Sequence, residues 1–128
     1  MALVKVGSHP SHGGQVVFNA TASFTLDPSD SGKIFILKDA AITVTLPTLS
    51  TSIAGFQVKL ISGDGNNHVI AGGNSLIYGQ IGDFAGGNFE RIAAASGYTL
   101  TNGEIGDWFE LISDGTNWYI SGMTDNGA

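Results

Sequence analysis

Four carboxylates, Glu104, Asp107, Glu110 and Asp114, crowd one stretch near the C-terminus. Two carboxyl groups at a controlled separation are what glycoside hydrolysis needs, one to give a proton and one to attack or to activate water. Asp107 and Asp114 each adjoin a glycine, however, where an Asp side chain closes a turn onto nearby backbone N–H groups. Glu110 falls on the polar face of its segment. Turn shaping is the simpler account of this group, and no catalytic residue is assigned.

Metal and phosphate chemistry find little more footing. His9 and His12 have a ligand-like spacing, but no helix sets them on one face and no carboxylate lies nearby, so a flexible linker explains them better. Gly63-Asp64-Gly65-Asn66-Asn67 starts like a calcium loop but lacks the alternating oxygen ligands and the closing Glu. It reads as a turn. Gly-rich segments elsewhere fit neither phosphate-loop pattern. His68 has no Ser or Asp at a triad-like offset and reads as a sheet or core histidine. With no cysteine, disulfides, zinc–thiolate sites and thiol nucleophiles are excluded. Neither a metal nor a cofactor is expected.

Aromatic residues offer a last kind of chemistry, stacking on a sugar. Trp108, Phe109, Trp118 and Tyr119 sit close together in sequence. Alternation along a strand turns Trp108 away from Phe109, and Trp118 away from Tyr119, so one ring of each pair belongs to the core. Trp108, Trp118 and Tyr119 are therefore candidates for core or subunit contact.

The element that positions these residues is a β-hairpin. Residues 108–113 alternate as its first arm, Asp114-Gly115 supplies a tight turn, and residues 118–121 return. Upstream, strand-like segments recur at residues 15–20, 22–26, 33–38, 42–46, 55–62, 68–71, 75–81 and 98–101, with clean period-two alternation at 22–26, 42–46 and 55–62 and a strong apolar run at 33–38. Asp39-Ala40-Ala41 is short enough to join its neighbours as a hairpin. Pro47 ends a ladder because it has no amide hydrogen to donate. Residues 88–95 lack a helical stripe and read as a strand or an irregular segment. Ile81-Gly82-Asp83-Phe84 returns as Ile105-Gly106-Asp107-Trp108, a weak echo that suggests two hairpin starts of similar geometry. About ten short strands with turns roughly every 8–12 residues predict an all-β fold, an antiparallel β-sandwich of jelly-roll type. Residues 1–14 form an N-terminal arm, 15–123 the sandwich domain, and 124–128 a polar C-terminal tail.

Composition bounds the partners. The chain has 128 residues, of which 12 % are charged. That is about half the usual share, which leans toward some surface being buried against a partner. The net charge is −6, and the five basic residues (Lys5, Lys33, Lys38, Lys59 and Arg91) are scattered. A nucleic-acid footprint needs them clustered, so nucleic acid is not expected as a partner. No run approaches the roughly 20 apolar residues of a membrane helix, and residues 1–7 lack the apolar stretch of a signal peptide. Synthesis and folding in a cytoplasm, away from membranes, are expected.

A family resemblance rests on a series of motifs: Gly32-Lys33-Ile34-Phe35-Ile36-Leu37, Ile42-Thr43-Val44-Thr45-Leu46-Pro47, Gly55-Phe56-Gln57-Val58, Gly106-Asp107-Trp108-Phe109-Glu110-Leu111 and Ser113-Asp114-Gly115-Thr116-Asn117-Trp118-Tyr119. Across roughly residues 32–122 the chain resembles a module of tailed-bacteriophage virion proteins, found in capsid decoration (cement) proteins and in tail fibres and tips. The resemblance implies a β-rich, often trimeric protein without enzymatic activity. Since the module nearly fills this chain, the better match is a small capsid decoration protein. Such a protein is made in the host cytoplasm and ends on the capsid surface, bound to the major capsid protein as a homotrimer. The arm and the strand after it are then the expected capsid-binding residues: Leu3, Val4, Val6, His9, Val16, Val17 and Phe18. They would add a strand to an exposed edge by backbone hydrogen bonds. The alternative is a receptor- or carbohydrate-binding module of a tail fibre or tip.

Overall fold

A computed structural model describes residues 3–9, 15–83 and 86–125. Among these, twelve strands occur: β1 Leu3–His9, β2 Gln15–Ala20, β3 Phe24–Thr25, β4 Ile34–Leu37, β5 Thr43–Thr45, β6 Gln57–Ser62, β7 Val69–Ala71, β8 Ile77–Asp83, β9 Asn88–Ala95, β10 Tyr98–Thr99, β11 Trp108–Ser113 and β12 Trp118–Thr124. Short 3-10 turns at Pro28–Asp30 and Thr51–Ile53 are the helical elements. The all-β sandwich read from the sequence is what the chain forms. One sheet has eight strands in the order β1-β2-β4-β6-β11-β12-β8-β9, and the other has four, in the order β10-β7-β5-β3.

Strand pairing is mixed, where antiparallel pairing was expected. β2 with β4, β4 with β6, β12 with β8, β3 with β5, and β5 with β7 are all parallel. The cause is the path of the chain. From β2 to β8 each strand lies in the opposite sheet from the one before it. Two successive strands of one sheet are therefore separated by a pass through the other, and both run the same way. Parallel neighbours need such a crossover, normally a helix. Here a strand of the facing sheet supplies it, so residues 15–71 make a three-turn β-coil. The expected jelly-roll topology is not confirmed. Asp39-Ala40-Ala41 is not a hairpin turn but a bridge between sheets, and β7 does not pair with β8.

Stacking down the coil explains the core. Phe18, Phe35 and Leu60 follow one another across the large sheet, and Phe24, Val44 and Ile70 across the small one. Phe35 is stacked on Phe18 with ring centroids 5.6 Å apart and touches Phe24 at 5.0 Å. The hairpin β11–β12 then inserts between β6 and β8, antiparallel to β6 and parallel to β8. It brings Phe109, Leu111, Trp118 and Ile120 into the same core. Burying a side chain of this size contributes roughly 1.5–3 kcal/mol. Trp118 is fully buried with its ring edge-on to Phe56.

Two boundaries differ from the sequence reading. The arm is ordered through His9, because β1 folds back antiparallel on β2 with a bulge between Lys5 and Gly7. Pro10 to Gly14, including His12, lie outside the described residues, as do residues 126–128 of the tail. Thr124 is no tail residue; it is buried and closes β12. The echo is one of sequence only. Ile81 is buried in a strand, whereas Ile105 is exposed in the loop before β11. Residues 88–95 do form a strand, β9.

Candidate functional site

Pleating sends alternate residues of the large sheet to opposite faces. One face meets the small sheet; the other is covered by no layer of the described chain. The registers align its outward residues into rows that cross all or nearly all of the sheet. The first row runs Val4, Asn19, Ile36, Ile61, Trp108, Met123, Gly82 and Phe89. The next runs Val17, Ile34, Lys59, Glu110, Ser121, Gln80 and Arg91 through the same pairings. A third, shorter row holds Gln57, Ile112, Tyr119 and Tyr78. The first row is almost wholly apolar. Val4 is 61 % exposed at one sheet edge and Phe89 75 % at the other. Met123 lies flat across Gly82; a side chain there would collide with its sulfur.

Charge is sparse on this face. Lys59 sits opposite Glu110 across β6 and β11, yet its ammonium lies over the Trp108 ring, 4.9 Å from the centroid. The ion pairs among the described residues are Lys33 with Asp30 and His68 with Asp64, so Glu110 is left without a cation. Beyond the end of the face a shallow hollow of about 360 Å³ is lined by Ile105, Trp108, Met123 and Asp125.

The capsid-binding candidates of the sequence reading divide between the two faces. Leu3 packs against the core, and Phe18 stacks on Phe35, so both are turned inward. Val4 and Val17 belong to the outer rows. Val6 is exposed at the bulge of β1, and Val16 is half-buried in β2. His9 ends β1 with its backbone opposite Gln15. Of the aromatic candidates, Trp118 is core, while Trp108 is half-buried and Tyr119 exposed on the outer face. Sequence reasoning missed Ile36, Ile61 and Met123. The signal was present in Lys33-Ile34-Phe35-Ile36-Leu37-Lys38: an unbroken apolar run means a strand with both faces apolar.

The polar residues singled out for chemistry turn out to organise loops. Asp107 is buried and accepts the N–H groups of Glu104 and Asp125 at 3.0 and 3.1 Å. Asp114 accepts from the Thr116 and Asn117 amides at 2.9 and 2.7 Å and from the Tyr119 hydroxyl. The Asn117 and Thr116 bonds hold its carboxyl below the usual value. Tyr98 is buried and donates to Glu90 at 3.1 Å; burial first, and the Glu90 charge second, push its phenol up to about 12.

One buried polar cluster joins two loops, residues 38–42 and 63–68. His68 Nδ1 accepts the Ile42 N–H at 3.0 Å, which leaves Nε2 to carry the proton and donate to Asp64 at 2.9 Å. Asp64 also accepts from the Asp39 amide at 2.6 Å and from both Asn66 nitrogens. Partial burial opposes its charge, but the Asn66 and Asp39 bonds outweigh that and keep its carboxyl below the ordinary range. His68 is thus a core histidine, as read, with the acid partner four residues earlier that the sequence reading passed over. The oxygens of Asp64 are already engaged by these donors, and no group of three potential metal ligands occurs among the described residues.

Compared with known proteins, the chain matches no family model and no curated protein.

Proposed function

We propose that this chain is a non-enzymatic structural protein of a phage virion, a decoration protein that binds the outer capsid surface as a homotrimer and reinforces the shell. The observation that carries the reading is the exposed edge of the large sheet. β1 ends the strand order, so among the described residues one side of its backbone has no sheet partner. Beside that edge stand Val4 and Val6, both 61 % exposed. An unpaired edge with apolar flanks is a template for β-augmentation by a segment of another protein, and native sheets usually blunt such edges. A protein that binds only the assembled shell stabilises it by mass action.

Co-sedimentation with purified expanded capsids tests this. The full chain is expected to pellet with capsids, and a chain lacking residues 1–9 is expected to stay in the supernatant. Val6→Pro, which removes a backbone donor at the edge without deleting a strand, should weaken binding at least tenfold. Undiminished binding by both variants would overturn the reading. Tyr119, exposed on the outer face opposite Tyr78 and two rows from half-buried Trp108, favours a second reading as a glycan-binding module of a tail tip. Glycan binding that is lost on Tyr119→Ala, together with no capsid binding, would establish that one instead.

A further inference from the structure

We propose that copies of this chain join through the outer face of the eight-stranded sheet, with Lys59 of one copy set against Glu110 of the next. This deepens the self-association in the function proposed above by naming its surface, but it stands on geometry alone.

The centre of the sheet lies between β6 and β11, with four strands on either side. Lys59 and Glu110 are the outward pair that flanks this line. A rotation axis laid along the strands there keeps each row at its own height and exchanges left for right. Lys59 then meets Glu110 of the neighbouring copy. In the apolar row, Ile61 meets Trp108, Ile36 meets Met123, and Val4 meets Phe89. The same pairs form whether two or three copies surround the axis. Around a three-fold, Lys59 and Glu110 alternate in sign, so no like charges are forced together.

Three observations favour a second copy as the occupant. First, the face is self-complementary along its middle and its apolar row: the one charged pair at its centre is of opposite sign, and in the first row Ile61, Ile36 and Val4 meet Trp108, Met123 and Phe89, while Ile34 and Val17 of the next row meet the uncharged Ser121 and Gln80. Second, the acidity of the chain is kept off this face. The net charge is −6, yet the outward charges in the described rows are Lys59, Glu110 and Arg91. Repulsion between copies is therefore weak here. Third, the size is right. Eight strands about 4.8 Å apart and some six residues long span a plane of roughly 700 Å², close to the ~800 Å² per partner of a standard stable interface. Sheets stacked face to face in this way pack about 10 Å apart with strands nearly aligned.

The test is mass in solution by sedimentation equilibrium on the full chain. Wild type is expected at two or three times the 13.2 kDa chain mass. Ile61→Asp should be monomeric with an unchanged circular-dichroism spectrum. Glu110→Lys sets lysine against Lys59 of the neighbour and should weaken association at least tenfold. The exchanged double variant Lys59→Glu, Glu110→Lys restores the pairing and should restore association. A wild-type chain that is monomeric at about 100 µM, or an Ile61→Asp chain still fully oligomeric, overturns the proposal. A double variant no better than Glu110→Lys overturns the central pairing. Failure here separates from failure of the proposed function: a monomer that still pellets with capsids sinks only this inference, and an oligomer that ignores capsids sinks only the other.

Discussion

His68→Leu is the substitution whose outcome best separates hydrogen bonding from simple burial. Leucine is the more apolar residue, and the site is 2 % exposed, so burial alone favours the change. The hydrogen bonds argue the reverse. Ile42 is itself buried, and its N–H has the His68 ring as acceptor. Leaving a buried amide unpaired costs about 1–3 kcal/mol. Asp64 loses one donor of several and remains partly solvated, which adds about 1 kcal/mol at most. The expected net loss is roughly 1–4 kcal/mol, a large part of a typical domain's ~5–15 kcal/mol. In urea, with a slope of about 2 kcal/mol/M, the midpoint falls by roughly 0.5–2 M. His68→Asn keeps an oxygen near the place of Nδ1, so it should lose less than His68→Leu despite being more polar. Hydrogen exchange at the Ile42 amide should speed up in His68→Leu and much less in His68→Asn. If His68→Leu matches or exceeds the wild type in stability, the cluster is not a structural clamp and the reasoning fails.

Other outcomes follow from single contacts. The Trp118 indole N–H is buried without an acceptor. Trp118→Phe sheds that unpaired donor and should cost only about 1–2 kcal/mol in chemical denaturation, against about 3–5 for Trp118→Ala; equal losses would show that the N–H is satisfied in solution. Gly79 sits at φ 150 with its missing Cβ aimed at the Ile120 carbonyl oxygen. Gly79→Ala should therefore cost more than about 3 kcal/mol, and a thermal midpoint within a few degrees of wild type would contradict the close approach of β8 and β12. Acid should destabilise the fold through Asp64 and Asp114. Their carboxyls are held below the ordinary carboxylate value, so the stability they contribute is complete above that ordinary value and is lost as pH falls through the lowered native values. Asp64→Asn should flatten the acid limb of a stability–pH curve measured from pH 5 to 2; an unchanged limb would refute the assignment.

Strand identity was legible because the strands are short and several alternate cleanly. The pattern in Ile42-Thr43-Val44-Thr45-Leu46 or in Gln57-Val58-Lys59-Leu60 reports which residues face a core regardless of which strand lies alongside. Pairing was legible where a turn pair marks it, as at Asp114-Gly115 between β11 and β12, and for that very reason not legible through the coil. The link Asp39-Ala40-Ala41 is the right length for a hairpin, and only its geometry tells otherwise. Asp39 adopts φ 74 and donates its amide to Asp64, which turns the chain over the sheet edge. The coil also hides from a search for repeats. Phe18, Phe35 and Leu60 stack in space, but the intervals between them in sequence are unequal, so no period marks them.

The candidate surface was hidden for a related reason. A face is a property of several strands at once, and its rows join residues as distant as Val4, Ile61 and Phe89. Read singly, each of these is an unremarkable strand residue. Once the order of strands is known, the apolar run of β4, the unpaired Glu110 beside Lys59, and the low share of charge cease to be separate oddities. They describe one surface, apolar and low in charge, that no layer of the described chain covers. Its edge at β1 and its broad face offer different contacts, one through backbone hydrogen bonds and one through side chains. Under the two proposals above, copies of the chain would meet through the face and a foreign strand would pair at the edge, with Val4 the residue that both contacts would touch.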